Sequence, residues 1–216
     1  MSIKSNLLQL KSKLPAAVTL VAVSKTKPVS DLMQAYEAGQ RLFGENKVQE
    51  MVLKYEQMPK DIEWHMIGHV QSNKVRHMAP FVSLIHGVDN LKLLEEIDRQ
   101  AAKHSRVIRC LLQVCISQED TKFGLSPQEL RALLGSDTIQ QLKNVAIEGL
   151  MGMASFTEDQ EQLRKEFNGL QQLFAECQLA HPQFTTLSMG MSGDYEVAIA
   201  CGSTMIRIGS TIFGSR

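Results

Sequence analysis

The first group in this sequence that could do covalent chemistry is a lysine. Lys25 ends the run TLVAVS (19 to 24), and Pro28 closes the stretch. Val18 to Val23 is short, β-branched and uncharged, so it reads as a strand buried on both faces. An amine at the end of such a strand faces an apolar wall, and desolvation there disfavours the ammonium form. A neutral amine is a nucleophile, and its natural partner is an aldehyde, with which it forms a Schiff base. A strand-ending lysine that simply reaches solvent explains the same residues, and Lys27 is placed to do the same.

Two glycine- and serine-rich clusters stand late in the chain, SMGMSG (188 to 193) and RIGST (207 to 211). Small residues let backbone N–H groups approach a phosphate, and a helix starting after Gly193 would add a favourable dipole. Ordinary turns use the same residues. Arg207 interrupts the otherwise apolar TMIRIG, so it must be paired or must contact a ligand. Both options stay open from spacing alone. His65 and His69 are four apart, but Gly68 breaks the helical geometry and no third ligand is evident, so no metal is expected. Met151, Met153, Met189 and Met191 read as core and pocket packing. Lys122 falls in a polar loop, where it either attracts phosphate or is solvated. Glu158 to Glu166 reads as a solvated helix face.

These groups need a scaffold. Helical spacing marks residues 3 to 13, then 30 to 38 with Ser30 as cap and Gly39 as stop. A helix through Met58, a short one over 69 to 79 and one over 91 to 104 capped by Asp89 or Asn90 follow. Another starts at Ser126-Pro127, with long and short ones over 158 to 179 and 193 to 201. Strand-like runs alternate with them: 18 to 23, 40 to 44, 62 to 67, 81 to 88, 107 to 116, 144 to 155, 185 to 191, and one within 204 to 214. Eight apolar strands alternating with helices make an α/β fold, either a closed (β/α)8 barrel or an open doubly wound sheet, and the count favours the barrel. No GxGxxG follows the first strand, and no linker or repeat appears, so one domain over 1 to 216 is expected. In a barrel, functional residues sit where strands end. Those ends hold Lys25, Gly44 to Asn46, His65 to Gly68, His86, Met153 to Ser155, Ser188 to Ser192 and Arg207 to Ser210.

Composition excludes several classes. Of the 216 residues 44% are hydrophobic, ample for a large core. Basic and acidic side chains balance at 23 each, so there is no net field for nucleic acid. The cysteines (110, 115, 177, 201) form no CxxC pair and read as buried thiols of a reducing compartment. No signal peptide and no apolar run of membrane length is present, so a cytoplasmic protein is expected.

An aldehyde-reactive lysine, a phosphate cradle and a barrel together point to pyridoxal 5′-phosphate (PLP). The stretches VAVSKTKP, LFGENKVQE, WHMIGHVQSNK and LSMGMSGDYEVAIACGSTMIRIGSTIFG resemble the pyridoxal phosphate homeostasis protein family, from about residue 18 to residue 214. The resemblance implies a PLP barrel of fold type III, similar to the N-terminal barrel of alanine racemase. It implies that Lys25 carries the internal aldimine and that Asn46 lies near the ring. It makes Ser188, Met189 and Gly190, with Gly209 and Ser210, the phosphate cradle. It has Arg207 face the pyridine nitrogen, which an always-charged arginine keeps unprotonated, making the ring a weaker electron sink. A racemase also needs a second acid/base group, in the racemases a tyrosine of a second domain. The sequence ends at Arg216 with no such domain, and Tyr36 and Tyr55 fall in helices while Tyr195 reads as packing. The expectation is therefore a non-catalytic PLP carrier or regulator of vitamin B6 and amino-acid balance, and a monomer. Its partners would be PLP itself and PLP-dependent enzymes or regulatory proteins. A small racemase-like enzyme is the alternative.

Overall fold

A computed structural model describes residues 2 to 117 and 123 to 214. The chain opens with α1 (Ile3–Lys13) and β1 (Thr19–Val23), followed by α2 (Val29–Glu37), β2 (Leu42–Glu45), α3 (Val48–Gln57) and β3 (Glu63–Met66). After a 3-10 turn at Ser72–Lys74 come α4 (Val75–Met78), β4 (Leu84–Val88), α5 (Leu91–Lys103) and β5 (Ile108–Cys115). The second half holds α6 (Pro127–Leu134), α7 (Asp137–Gln141), β6 (Val145–Met153), α8 (Gln160–Ala180), β7 (Thr186–Ser188), α9 (Tyr195–Ala200), β8 (Met205–Ile208) and α10 (Ser210–Phe213).

The strands pair in sequence order, all parallel, and β8 closes on β1. The fold is the closed (β/α)8 barrel. Parallel neighbours need a crossover, and the helices between the strands supply these while covering the outer face of the sheet. That outer layer is the main core. Phe43 and Trp64 are fully buried in it with ring centroids 6.0 Å apart. Burying a side chain of that size stabilises the fold by about 1.5–3 kcal/mol. Inside the barrel, Val21, Leu84, Leu111, Met151 and Met205 form a second cluster. Two positions further along four of these strands come His86, Gln113, Met153 and Arg207. The interior thus changes from apolar to mostly polar toward the C-terminal ends of the strands, the end where barrels carry function.

Local signals explain most boundaries. Ser126 caps α6 in a full capping box with Glu129, and Asn90 caps α5 by accepting the Leu93 N–H. Some expectations need correction. Pro28, not Ser30, is the cap residue of α2, because Val29 already follows the proline into helical geometry. Strand β7 stops at Ser188 instead of reaching 191. Helix α7 had no sequence signal strong enough to separate it from the loop after α6.

Candidate active site at the barrel mouth

A cavity of about 600 Å³ opens at the C-terminal ends of the strands, and its lining includes Lys25, Asn46, Ser192, Arg207, Gly209 and Ser210. Residues from β1, β2 and β8 and the loops after them therefore meet at one place, although up to 185 positions separate them. Register explains how. Val21 pairs with Arg207 across β1 and β8, so Arg207 is rooted deeper in the barrel and Lys25 closer to the rim. The loops after β2 and β3 and the end of β4 press together through glycines. A Cβ on Gly68 would stand 2.4 Å from the Asn46 carbonyl oxygen, and one on Gly87 2.7 Å from the Gly68 oxygen. No side chain fits at either position, so these two glycines set how tightly the mouth closes around Asn46.

Ser188, Met189 and Gly190 do not reach this cavity. Ser188 and Met189 are fully buried. The Ser188 side chain points into the barrel, because β7 ends there with that parity, and the chain reaches the rim only at Met191 to Asp194. Gly190 has φ +98° and its carbonyl accepts the Arg207 N–H at 3.0 Å, which makes it a hinge between β7 and the rim. The serine of this segment at the cavity is Ser192, whose hydroxyl accepts the Gly209 N–H at 3.2 Å. The helix expected after Gly193 starts at Tyr195, and an acid stands at its head: the Asp194 carboxylate accepts the Met191 N–H at 2.5 Å.

Arg207 is bonded to oxygen dipoles. It donates to the Ser188 hydroxyl at 2.6 Å, to the Ser188 carbonyl at 2.9 Å and to the Gly152 carbonyl at 3.0 Å. Burial lowers its pKa to about 10, with the nearby Asp194 charge opposing, so the guanidinium stays charged at neutral pH. Behind it runs a chain: Ser188 Oγ meets His86 Nδ1 at 3.0 Å, and His86 Nε2 meets His65 Nδ1 at 3.0 Å. Arginine can only donate, so the hydroxyl accepts from it and is free to donate to His86. At each of the two histidine contacts one group donates and the other accepts, and His65 Nε2 is a buried nitrogen with no hydrogen-bond partner among the described residues. Burial holds both rings neutral, His65 down at about 3 and His86 well below the usual histidine range. Both histidines stand at strand ends in the sequence, but their contact with each other and with Ser188 spans three strands and has no sequence signature.

Beside the Lys25 backbone an ionic cluster lies outside the barrel, between the sheet and α3. Glu45 is fully buried and Lys54 nearly so, at 2.7 Å. Burial pushes the Glu45 carboxyl above its ordinary range, against the hydrogen bonds from Lys54 and Ser24 that favour its anion. Glu166 also departs from expectation. It is buried instead of solvated, and its carboxylate accepts the Ser155 N–H and hydroxyl, each at 2.7 Å, anchoring the loop after β6. Glu158 and Glu161 keep the exposed face expected of that stretch.

The remaining candidates fall elsewhere. The Tyr195 hydroxyl donates to Glu196, Tyr36 to Asp61, and Tyr55 stacks on Phe81. Among the described residues no group of three His, Cys, Asp or Glu could hold a metal ion. His69 pairs with Asp89 at 3.5 Å and stacks on Phe123. Lys122 lies outside the described residues. Cys110, Cys177 and Cys201 are buried free thiols, and Cys115 is half-buried. No helix among the described residues is long and apolar enough to cross a membrane.

The alanine racemase N-terminal domain family matches over residues 1–216. The pyridoxal phosphate homeostasis protein of Pasteurella multocida (strain Pm70) is 40% identical, with 100% of this chain and 98% of that relative aligned. The chain belongs to the pyridoxal phosphate homeostasis protein family. Its Escherichia coli K12 member is 38% identical over 99% of this chain and 97% of that one. Among solved structures, PipY of Synechococcus elongatus PCC7942 without PLP superposes with TM-score 0.93 at 40% identity, covering 99% of this chain and 100% of that one. PipY with PLP bound gives TM-score 0.90. An alanine racemase of Clostridium difficile 630 shares the fold alone, at 12% identity and TM-score 0.81, and this chain spans 57% of it.

Proposed function

We propose that this family member binds pyridoxal 5′-phosphate at the barrel mouth and serves intracellular PLP and amino-acid homeostasis, without a catalytic acid/base pair of its own. One observation carries the reading: Lys25, Arg207 and the Gly209-Ser210 turn line a single cavity, of a size suited to a small cofactor. The donor set fits the group. A lysine amine matches an aldehyde, an arginine the ring nitrogen, and small residues with hydroxyls a phosphate. Gly209 leaves little room beyond its own backbone, since a Cβ there would come within 3.3 Å of the Val23 oxygen. The relatives named for pyridoxal phosphate homeostasis and the PipY structure with PLP support the same reading.

Bound PLP supplies an aldehyde carbon and an electron-withdrawing ring. In this reading Lys25 is the residue that would hold the cofactor, through its Nζ and that carbon. Asn46 lies along the ring. Ser192, Gly209 and Ser210 hold the phosphate, and they replace Ser188, Met189 and Gly190 in that role. Arg207 points a charged donor at the ring nitrogen and does not give up a proton, which leaves the ring a weak electron sink. No tyrosine lines the cavity among the described residues. The protein is expected to be a single barrel domain, monomeric and cytoplasmic, exchanging PLP with dependent enzymes or regulatory proteins.

The test is direct. The purified protein with PLP should absorb in the visible. Borohydride reduction and peptide mapping should put the adduct on Lys25, and Lys25→Ala should abolish it. A colourless protein, or an adduct on Lys27, would overturn the assignment. Amino acids incubated with the loaded protein in deuterated water should show no α-carbon exchange; exchange would favour the racemase-like alternative.

A further inference from the structure

Lys25 is flanked on both sides by residues that a charged cluster holds. Before it, the Ser24 hydroxyl donates to Glu45 Oε1 at 2.6 Å, and the Ser24 carbonyl accepts from Lys54 Nζ at 2.8 Å. After it, the Thr26 N–H donates to Glu50 Oε1 at 2.6 Å. Lys54 Nζ joins the two halves, 2.7 Å from Glu45 Oε1 and 2.7 Å from Glu50 Oε1. Thr26 itself has φ +64°, a left-handed conformation that a β-branched residue adopts only when its surroundings impose it. Strand parity completes the picture. Ala22 and Ser24 face α3, so Lys25 faces inward to the cavity.

We propose that Glu45, Glu50 and Lys54 form a clamp that positions Lys25, fixing the backbone on each side of it so that its amine is presented to the cavity floor. Glu50 and Lys54 sit one turn apart on α3 and reach across to β1, and Glu45 ends β2. None of the three lines the cavity. They act through Ser24 and Thr26, which makes them positioning residues. A four-carbon side chain holds its amine within hydrogen-bonding precision only if its own Cα is fixed, and small displacements at such a site weaken capture. The left-handed turn at Thr26 is the part that needs an external hold, and the Glu50 carboxylate supplies it. The inference rests on the reading of Lys25 as the cofactor lysine, and one arm of its test does not.

The experiment compares Glu50→Ala with Glu50→Gln. Alanine keeps the helix and removes the acceptor for Thr26; glutamine keeps an acceptor and removes the charge. In Glu50→Ala, amide exchange at Thr26 in the cofactor-free protein should accelerate, and PLP affinity should fall about tenfold, the weight of one hydrogen bond to a charged acceptor. Its melting temperature should stay close to wild type, and Glu50→Gln should recover most of the affinity. Faster Thr26 exchange with PLP affinity unchanged within about twofold would overturn the clamp, as would equal losses in both variants. If the wild-type chain takes no PLP on Lys25, the reading of the previous subsection fails. The clamp is then decided by the rate at which a small acylating reagent labels Lys25 relative to Lys4. A faster rate in Glu50→Ala supports it, and an unchanged rate overturns it.

Discussion

Two buried polar clusters serve the neighbouring β1 and β8 sides of the mouth, and they are built differently. Beside Lys25, two carboxylates converge on one ammonium between the sheet and α3. Beneath Arg207, a guanidinium leans on two carbonyls, a hydroxyl and two neutral imidazoles inside the barrel. The first cluster is local and ionic, and it braces backbone. The second is a line of dipoles spanning β8, β7, β4 and β3, and it holds a side chain. The difference lies in what each holds. The Glu45 and Glu50 carboxylates engage Ser24 and Thr26, the residues on either side of Lys25. The Arg207 guanidinium is held instead by neutral acceptors, the Ser188 hydroxyl and carbonyl and the Gly152 carbonyl.

The comparison breaks most visibly at Lys54. Lys54→Met leaves Glu45 buried without its counter-charge and should cost about 3–5 kcal/mol in chemical denaturation. A cost below about 1 kcal/mol would mean that the ionic cluster is no more than a surface pair. In the other cluster, Ser188→Ala removes one acceptor but leaves Arg207 two carbonyls. It should cost about 1–3 kcal/mol by the same measurement, with the cavity otherwise intact. If the two losses are equal, the distinction between ionic and dipolar support fails.

The neutral histidines sharpen it through pH. Their folded pKa values lie below the ordinary value of about 6.5, His65 at about 3. In that window the unfolded chain takes up protons that the folded chain refuses, so stability falls as pH drops below about 6.5, by about 1.4 kcal/mol per pH unit for each histidine. His65→Asn should flatten the stability slope measured between about pH 6 and pH 4 by that amount. An unchanged slope would mean that His65 is already protonated in the folded protein. The smallest effect is expected outside both clusters. Tyr195→Phe removes an exposed bond to Glu196 and should change stability by less than about 0.5 kcal/mol and PLP affinity not at all. A large loss of affinity would bring Tyr195 into the site.

Much of this was legible in the chain itself, and for a physical reason. Alternation of β-branched runs with 3.6-residue periodicity is a local property, so the eight strands and the barrel could be read directly. So could the strand-end positions of Lys25, Asn46, Arg207, Gly209 and Ser210, which all line the cavity. Position along a strand is also local, but the face that a side chain presents depends on where the strand stops. Ser188 falls inside and Ser192 at the rim because β7 is three residues long, shorter than its apolar run suggested. Partners across elements are not local at all. Glu166 looks solvated in sequence and is buried on Ser155. Lys54 looks like one more charge on an amphipathic helix and is the centre of a buried cluster. The His65, His86, Ser188 and Arg207 contacts join strands whose order around the barrel is fixed only when β8 closes on β1. The sequence by itself determined which residues stand at the mouth; closure of the barrel decided which of them touch, because a parallel sheet sets its register through neighbours far away in the chain.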